Sequence, residues 1–313
     1  MSTFAVQARR AALTPAELEE VEALAAAADT ADGAAALSEQ TLLALRHGGP
    51  GTHLLVAGAA GPLGYGFLAP DGTAEWLVHP LHRHRGVGRA LAVAARDVAG
   101  ASLAVWAHGD HPAAAALALR LDLLRARELW RLCRPGDPPA EAPVFTPGVR
   151  LRSFRPGVDE AAWLRLNARA FANHPEQGRW TAEDLRHRQG EPWFDPAGFL
   201  LAERTADGTL LGFHWTKVHG TGADARGEVY VLGVDPDAHG EGLGRALTLA
   251  GLRHLAGRGV DQVLLYVDAT NTAATTLYGR LGFARHTTDV QYRPRAGGAP
   301  GPDGPPAGTT RAG

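Results

Sequence analysis

The stretch EVYVLGVDPDAHGEGLGR, residues 228–245, reads as a strand, a tight turn and the opening of a helix. Val229 to Val234 is mostly β-branched and aromatic, which suits a pleated surface. Gly242 and Gly244 then let the backbone close around a bulky group. The first amides of the helix point at that group, and the helix dipole favours an anion there. A pyrophosphate suits such a site. Taken alone, the pattern fits any strand-to-helix turn, but it occurs twice. Val78-His79-Pro80 matches Val234-Asp235-Pro236, and at the same offset Gly86, Gly88, Arg89, Ala90 and Leu91 match Gly242, Gly244, Arg245, Ala246 and Leu247. LALRLDL (117–123) likewise matches LYGRLGF (277–283). The chain therefore reads as two copies of one α/β unit.

Local signals fill in the first copy. Thr14-Pro15-Ala16-Glu17 places a hydroxyl cap, a proline and a returning glutamate at a helix start, with Asp32-Gly33 as its end. Further helices are expected over Glu39–Arg46 and Pro112–Leu121, and strands over His53–Gly58 and Gly64–Ala69. RPGDPPAEAPVFTP (134–147) is too rich in proline to build a packed element and reads as a linker. The expected division is residues 1–135, a linker over 136–148, a second domain over 149–295 and a disordered Gly/Pro tail over 296–313.

Composition narrows the function. The 313 residues carry 31 Lys+Arg against 33 Asp+Glu, so the basic excess of a nucleic-acid binder is missing. A hydrophobic fraction of 45% is enough for a core, yet no apolar run reaches membrane-spanning length. The N-terminus lacks a charged segment followed by an apolar one, so no secretory signal is expected. The single cysteine, Cys133, fits a reducing, cytoplasmic setting and reads as a buried structural thiol. The histidine clusters His82/His84 and His108/His111 lack completing ligands, so no metal is expected. Trp163, Trp180, Trp193 and Trp215 read as core or cleft wall. Lys217 is the only lysine, which suggests that its compact ammonium matters where arginine is the default.

With these motifs in order, the chain resembles the GNAT family, the GCN5-related N-acetyltransferases. The family's Q/R-x-x-G-x-G/A turn after V-x-P appears as HGEGLG after VDP, and its later N-x-x-A segment as NTAATTLYGRLGF (271–283). His239 departs from the usual Gln or Arg; the main chain is expected to do most of the holding. The resemblance implies two tandem domains, each a mixed, mostly antiparallel sheet flanked by helices, whose central strands splay at V-x-P to admit a pantetheine arm. It implies acetyl-CoA as co-substrate, held by Leu232, Gly233, Val234, His239, Gly240, Glu241, Gly242, Leu243, Gly244 and Arg245, and by Asn271, Thr272, Ala273, Ala274, Thr275 and Thr276. The first copy offers Leu77, Val78, His79, Arg85, Gly86, Val87, Gly88, Arg89 and Ala90.

Acyl transfer to an amine needs a base for the ammonium, a donor for the departing thiolate and a hydrogen bond for the oxyanion. Glu228 is the base candidate and Tyr278 the acid candidate, with the oxyanion near Leu232–Val234. Counting back from Val78 puts Gly72 opposite Glu228. Counting from Leu117 puts Ala118 opposite Tyr278, and His111 matches Asn271. The first copy thus reads as non-catalytic, though able to bind acetyl-CoA or shape the acceptor cleft. FANHPEQGRW (171–180), LGFHWTKVHG (211–220) and LLYVDATNTAA (264–274) are similar to tandem members that acetylate the cysteinyl amine of a cysteinyl-glucosaminyl-inositol. That likeness implies acceptor contacts at Glu39, Glu176, Lys217, Glu228 and Tyr266. A monomer without nucleic-acid or membrane partners is expected. Two alternatives remain open: acetylation of another amine, such as an aminoglycoside, a polyamine or a protein N-terminus, and a non-catalytic acetyl-CoA sensor. The mixed charges of HPEQGRW and Lys217 disfavour a polycationic acceptor. Glu228 and Tyr278 disfavour a sensor.

Overall fold

A computed structural model describes residues 4–295 apart from 60, 173, 175 and 176. The tail over 296–313, expected to be disordered, lies outside the described residues. In chain order the elements are β1 (Gln7–Arg9), α1 (Pro15–Asp32), α2 (Glu39–His47), β2 (Thr52–Gly58), β3 (Gly61–Leu68), β4 (Thr73–Val78), α3 (Val87–Ala99), β5 (Ala104–Ala107), α4 (Pro112–Arg120) and β6 (Leu123–Pro135). There follow β7 (Val149–Ser153), α5 (Glu160–Ala170), α6 (Ala182–Gln189), β8 (Phe199–Arg204), β9 (Leu210–His219), β10 (Arg226–Val234), α7 (Leu243–Gly257), β11 (Gln262–Asp268), α8 (Thr272–Arg280) and β12 (Ala284–Pro294). The capping box at Thr14 forms in both directions, and Gly33 closes α1 in the left-handed region.

The chain forms two compact units, but they do not divide at the proline-rich stretch. One unit combines the residues up to Arg127 with those from Val290 onward; the other is Glu128–Asp289. In the first, β1, β2, β3 and β4 pair antiparallel in sequence order, β4 and β5 pair parallel, and β12 closes the edge through Val290–Tyr292 on Ala107–Val105. In the second, β7, β8, β9 and β10 pair antiparallel, β10 and β11 pair parallel, and β6 closes the edge through Leu129–Pro135 on Asp268–Gln262. The two copies thus exchange their last strands. The reason is visible in β6: its Leu123 is buried in the first unit's core and its Leu132 in the second's.

The stretch expected to be a free linker is held within the second unit. Arg245 pairs with Glu141 at 2.6 Å, and Arg253 donates to the carbonyls of Pro139 and Glu141. Phe145 packs with Leu211, Leu243 and Leu247. Gly136 is obligatory, because a Cβ there would lie 1.7 Å from the Val260 carbonyl oxygen. Cys133, in β6 opposite Leu264, is half-buried rather than enclosed.

Each sheet is covered on both faces. In the second unit α7 and α8 bury Val229, Leu252, Leu265 and Tyr278 on one side. On the other, α5 and α6 bury Trp163, Leu185, Phe213, Trp215 and Val231. Trp163 and Trp215 are core; Trp180 and Trp193 pack at its margin. Behind β9, the His214 ring meets α7 at Gly251, where a Cβ would sit 2.1 Å from the ring. His214 Nδ1 bonds the Leu247 carbonyl at 2.8 Å, and burial lowers its pKa to about 4, so the ring is neutral and Nδ1 donates.

Candidate active site

The site in the second unit grows from a gap in the sheet. β10 and β11 pair from Arg226↔Gln262 to Val229↔Leu265 and no further. Beyond that point β10 keeps only β9, and β11 keeps only β6, to Asp268↔Leu129. The strands therefore part at Val229, well before the V-x-P turn where the splay is expected. A bulge sits at the same place: Val229 opposes Thr216 and Val231 opposes Trp215, leaving Tyr230 as an extra residue. A bulge turns the strand and frees a backbone group from its ladder.

Strand alternation gathers four polar side chains on one face of this sheet. Glu228 lies opposite Lys217 on β9 and opposite Leu264 on β11. His219 and Tyr266, each two residues along from those partners, share the face. Glu228 is 7% exposed, and its Oε2 lies 2.5 Å from His219 Nε2. Lys217 is equally buried, with its ammonium 4.3 Å from the Trp193 ring centre and 5.2 Å from that of Tyr230. Cation–π attraction of this kind offsets part of an ammonium's lost hydration. Arg188 donates to the Tyr230 hydroxyl at 2.7 Å and stacks on Trp180. Tyr266 is more open; burial, with Glu228 and Asp289 nearby, pushes its hydroxyl up to about 12.

Tyr278 comes from the opposite face. It is buried on α8 with Val229 and Leu265, its ring edge-on to Phe283. Burial pushes its phenol up to about 12, so it stays protonated at neutral pH. Its hydroxyl has no hydrogen-bond partner among the described residues. A carboxylate on one face and a proton donor on the other thus flank the strand gap.

At the far end of the gap, α7 starts at Gly242, with φ 75° and no side-chain cap. Gly240 is also left-handed, at φ 87°. The opening amides of α7, at Leu243, Gly244 and Arg245, are thus available to an anion, which fits a pyrophosphate. His239, the departure from the family pattern, ties the turn down: its Nε2 lies 3.2 Å from the Val234 carbonyl. Glu241 lies in the same turn, and the Arg245 side chain is engaged by Glu141. Asn271 caps α8 by accepting from the Ala274 amide, which orders the turn Thr272–Thr276.

The first unit repeats the turn but not the paired carboxylate and phenol. Gly86 caps α3 at φ 99°, again without a side-chain cap, ahead of Val87, Gly88, Arg89 and Ala90. Arg83 stands where His239 does and likewise bonds the carbonyl before the turn, at Val78. β4 and β5 part after Ala74↔Val105, so Leu77, Val78 and His79 also line a splay. β4 has no bulge, however. Matching the ladders therefore puts Thr73, not Gly72, opposite Glu228. Ala118 does fill the place of Tyr278, in the core with Val87 and Leu91. A carboxylate that simple counting passes over, Glu75, is buried on β4. Burial pushes it up, but His108 and the Ser38 amide outweigh this and hold it below its ordinary value. It accepts from Ser38, the cap of α2, at 2.8 Å and is thereby committed to structure.

Lys217, Glu228 and Tyr266 are thus brought together as anticipated. Glu39 opens α2 in the first unit. Glu176 lies outside the described residues. His219, Trp193, Tyr230 and Arg188 were not anticipated. Strand alternation from Lys217 was a signal for His219; the bulge that places Tyr230 leaves no sequence mark. Among the described residues a cleft of 530 Å³ lies elsewhere, lined by Arg165, Arg169, Arg204, Asp207 and Asp235, and contains none of these groups.

Comparison with known proteins agrees with this architecture. Residues 161–283 match the family described as Acetyltransferase (GNAT) family. A tandem GNAT protein from the clavulanic acid biosynthesis pathway superposes with TM-score 0.72 at 22% identity, covering 94% of this chain and 100% of that one. It shares the fold. A mycothiol acetyltransferase from Thermobispora bispora is 59% identical over 90% of this chain and 97% of its own length. One from Salinispora tropica is 57% identical over 88% and 93%. The fold and the strand gap define a tandem GNAT acetyltransferase. Within that class, the chain belongs to the mycothiol acetyltransferase family.

Proposed function

We propose that the protein transfers acetyl from acetyl-CoA to the cysteinyl amine of 1D-myo-inositol 2-(L-cysteinylamino)-2-deoxy-α-D-glucopyranoside, giving mycothiol and CoA. The observation that carries the chemistry is the pairing of a buried carboxylate and a buried phenol on opposite faces of one strand gap. The acceptor's identity rests on the family.

Acetyl-CoA supplies the activated acetyl thioester. The turn from His239 to Arg245 and the start of α8 hold it in the second unit. Glu228 takes a proton from the acceptor's ammonium, whose ordinary pKa near 7.7–8.0 leaves it mostly protonated at neutral pH. Amides freed around Leu232–Val234 donate to the oxyanion. Tyr278 gives its proton to the departing thiolate. Lys217, Tyr266 and Glu176 bind the acceptor's polar groups. The first unit holds a second acetyl-CoA, through Leu77–His79 and Arg85–Ala90, without turning it over. The protein acts as a monomer in the cytoplasm. No helix among the described residues is long and apolar enough to cross a membrane.

The test is mass spectrometry of the protein with acetyl-CoA and a panel of amines including the cysteinyl-glucosaminyl-inositol. A mass readout is needed because that acceptor carries its own thiol. Acetylation of the cysteinyl amine is expected. Acetylation of a different amine alone would retain the chemistry and discard the acceptor. No acetylation at all would leave a sensor.

A further inference from the structure

We infer that His219 relays the proton from Glu228 to solvent. The inference deepens the reading of Glu228 as base and rests on it. A buried base has a problem that an exposed one lacks: the proton it takes must leave before the next turnover. Glu228 is 7% exposed, whereas the His219 side chain is 41% exposed. The two meet at 2.5 Å, between Glu228 Oε2 and His219 Nε2. No other hydrogen bond of either side chain is found among the described residues. His219 is therefore the one polar side chain seen to bond Glu228, and it has an outer edge in water.

The placement follows from register. β9 and β10 pair Glu228 with Lys217 and Arg226 with His219. His219 thus reaches Glu228 diagonally across the ladder, from the end of β9. Charged and titratable groups stand on the surrounding strands: Lys217 on β9, Arg226 on β10 opposite His219, and Tyr266 on β11, which itself has Glu228, Asp289 on β12 and Arg131 on β6 near it. Lys217 lies directly opposite Glu228 across the β9–β10 ladder. An imidazole is the side chain whose ordinary pKa suits onward transfer near neutrality.

The steps balance. The acceptor's ammonium loses one proton to a Glu228 oxygen. Protonated Glu228 passes it to Nε2 of neutral His219. The imidazolium releases its Nδ1 proton to water, and a flip of the ring then brings Nε2–H to solvent, where it exchanges before the ring returns to Glu228. Glu228 returns to the carboxylate.

The experiment is steady-state acetyl transfer over many turnovers by the full chain, with acetyl-CoA and the cysteinyl amine, across pH and across imidazole concentration. His219→Asn can hydrogen-bond Glu228 but cannot carry a proton through. Its rate is expected to fall by roughly a hundredfold, the scale of lost proton-transfer assistance. Added imidazole should raise that rate in proportion to its concentration, with no effect on the wild type. His219→Gln serves as a second variant and should behave alike, with melting temperatures near wild type. A variant as fast as wild type at every pH overturns the relay. So does a slow variant that imidazole does not rescue, which would make His219 structural. If the wild type acetylates another amine, the acceptor reading fails and the same comparison on that amine still decides the relay. A wild type that acetylates nothing overturns both.

Discussion

β4 and β10 are the same strand in two copies, and they differ in a bulge and in the side chains beside it. Both part from their parallel neighbour, and both lead through a V-x-P turn into a helix capped by a left-handed glycine. That much is backbone geometry for an anion. Only β10 carries a bulge, and only beyond the bulge does a buried carboxylate meet a histidine with an open edge. In β4 the carboxylate sits two residues along, at Glu75, and its bond to the Ser38 amide commits it to holding a helix end. Under the proposed function, the turn survives duplication because main-chain amides hold the cofactor, whereas acid–base chemistry does not, because it depends on single side chains.

The largest expected break in this comparison is at the base. Glu228→Gln should lower turnover by roughly a hundredfold or more, since it removes general-base assistance outright. Glu75→Gln should leave the chemical step unchanged. Single-turnover rates of the two variants measure the asymmetry; equal losses would mean the units share the chemistry. Next in size is the donor. Tyr278→Phe should cost roughly tenfold or more in kcat with little change in acceptor KM, as expected for a group used in the transition state. Ala118→Tyr, its mirror in the first unit, should add no activity.

A smaller contrast concerns packing. At one ladder position the first unit has Gly66 and the second has His214; their partners, Trp76 and Leu232, each lie two residues before the V-x-P valine. The facing helices compensate: Ala95 lies in α3 where Gly251 lies in α7. In an open helix Gly→Ala stabilises by up to about 1 kcal/mol. Gly251→Ala should instead destabilise by roughly 1–3 kcal/mol, because its Cβ meets the His214 ring. Combining it with His214→Gly should recover part of that loss, measured by chemical denaturation as a double-mutant cycle. Additive losses would break the complementarity.

The last contrast is with pH. Burial holds His214 at about 4 against an ordinary 6.5, so between those values the unfolded chain binds more protons than the folded one. Stability should therefore fall as pH drops from 6.5 toward 4. A His214→Asn variant should show a shallower melting-temperature slope across that window. An unchanged slope would assign it to other groups.

The repeat, the cofactor turns, the α1 capping box and the difference between Tyr278 and Ala118 were all legible in the sequence. Each depends on residues within a turn or two, or on a constant offset between copies, and such spacing survives whatever the rest of the chain does. Glu228 was legible too, and Lys217 through its rarity. The counterpart of Glu228 was misplaced by one residue because the bulge at Tyr230 shifts the register of one copy alone. The exchange of β6 and β12, the capture of residues 136–145 along α7, and the contact between Glu228 and His219 belong to the tertiary structure. They are pairings between distant strands, fixed by which edges and buried leucines find each other, and no local pattern encodes that choice.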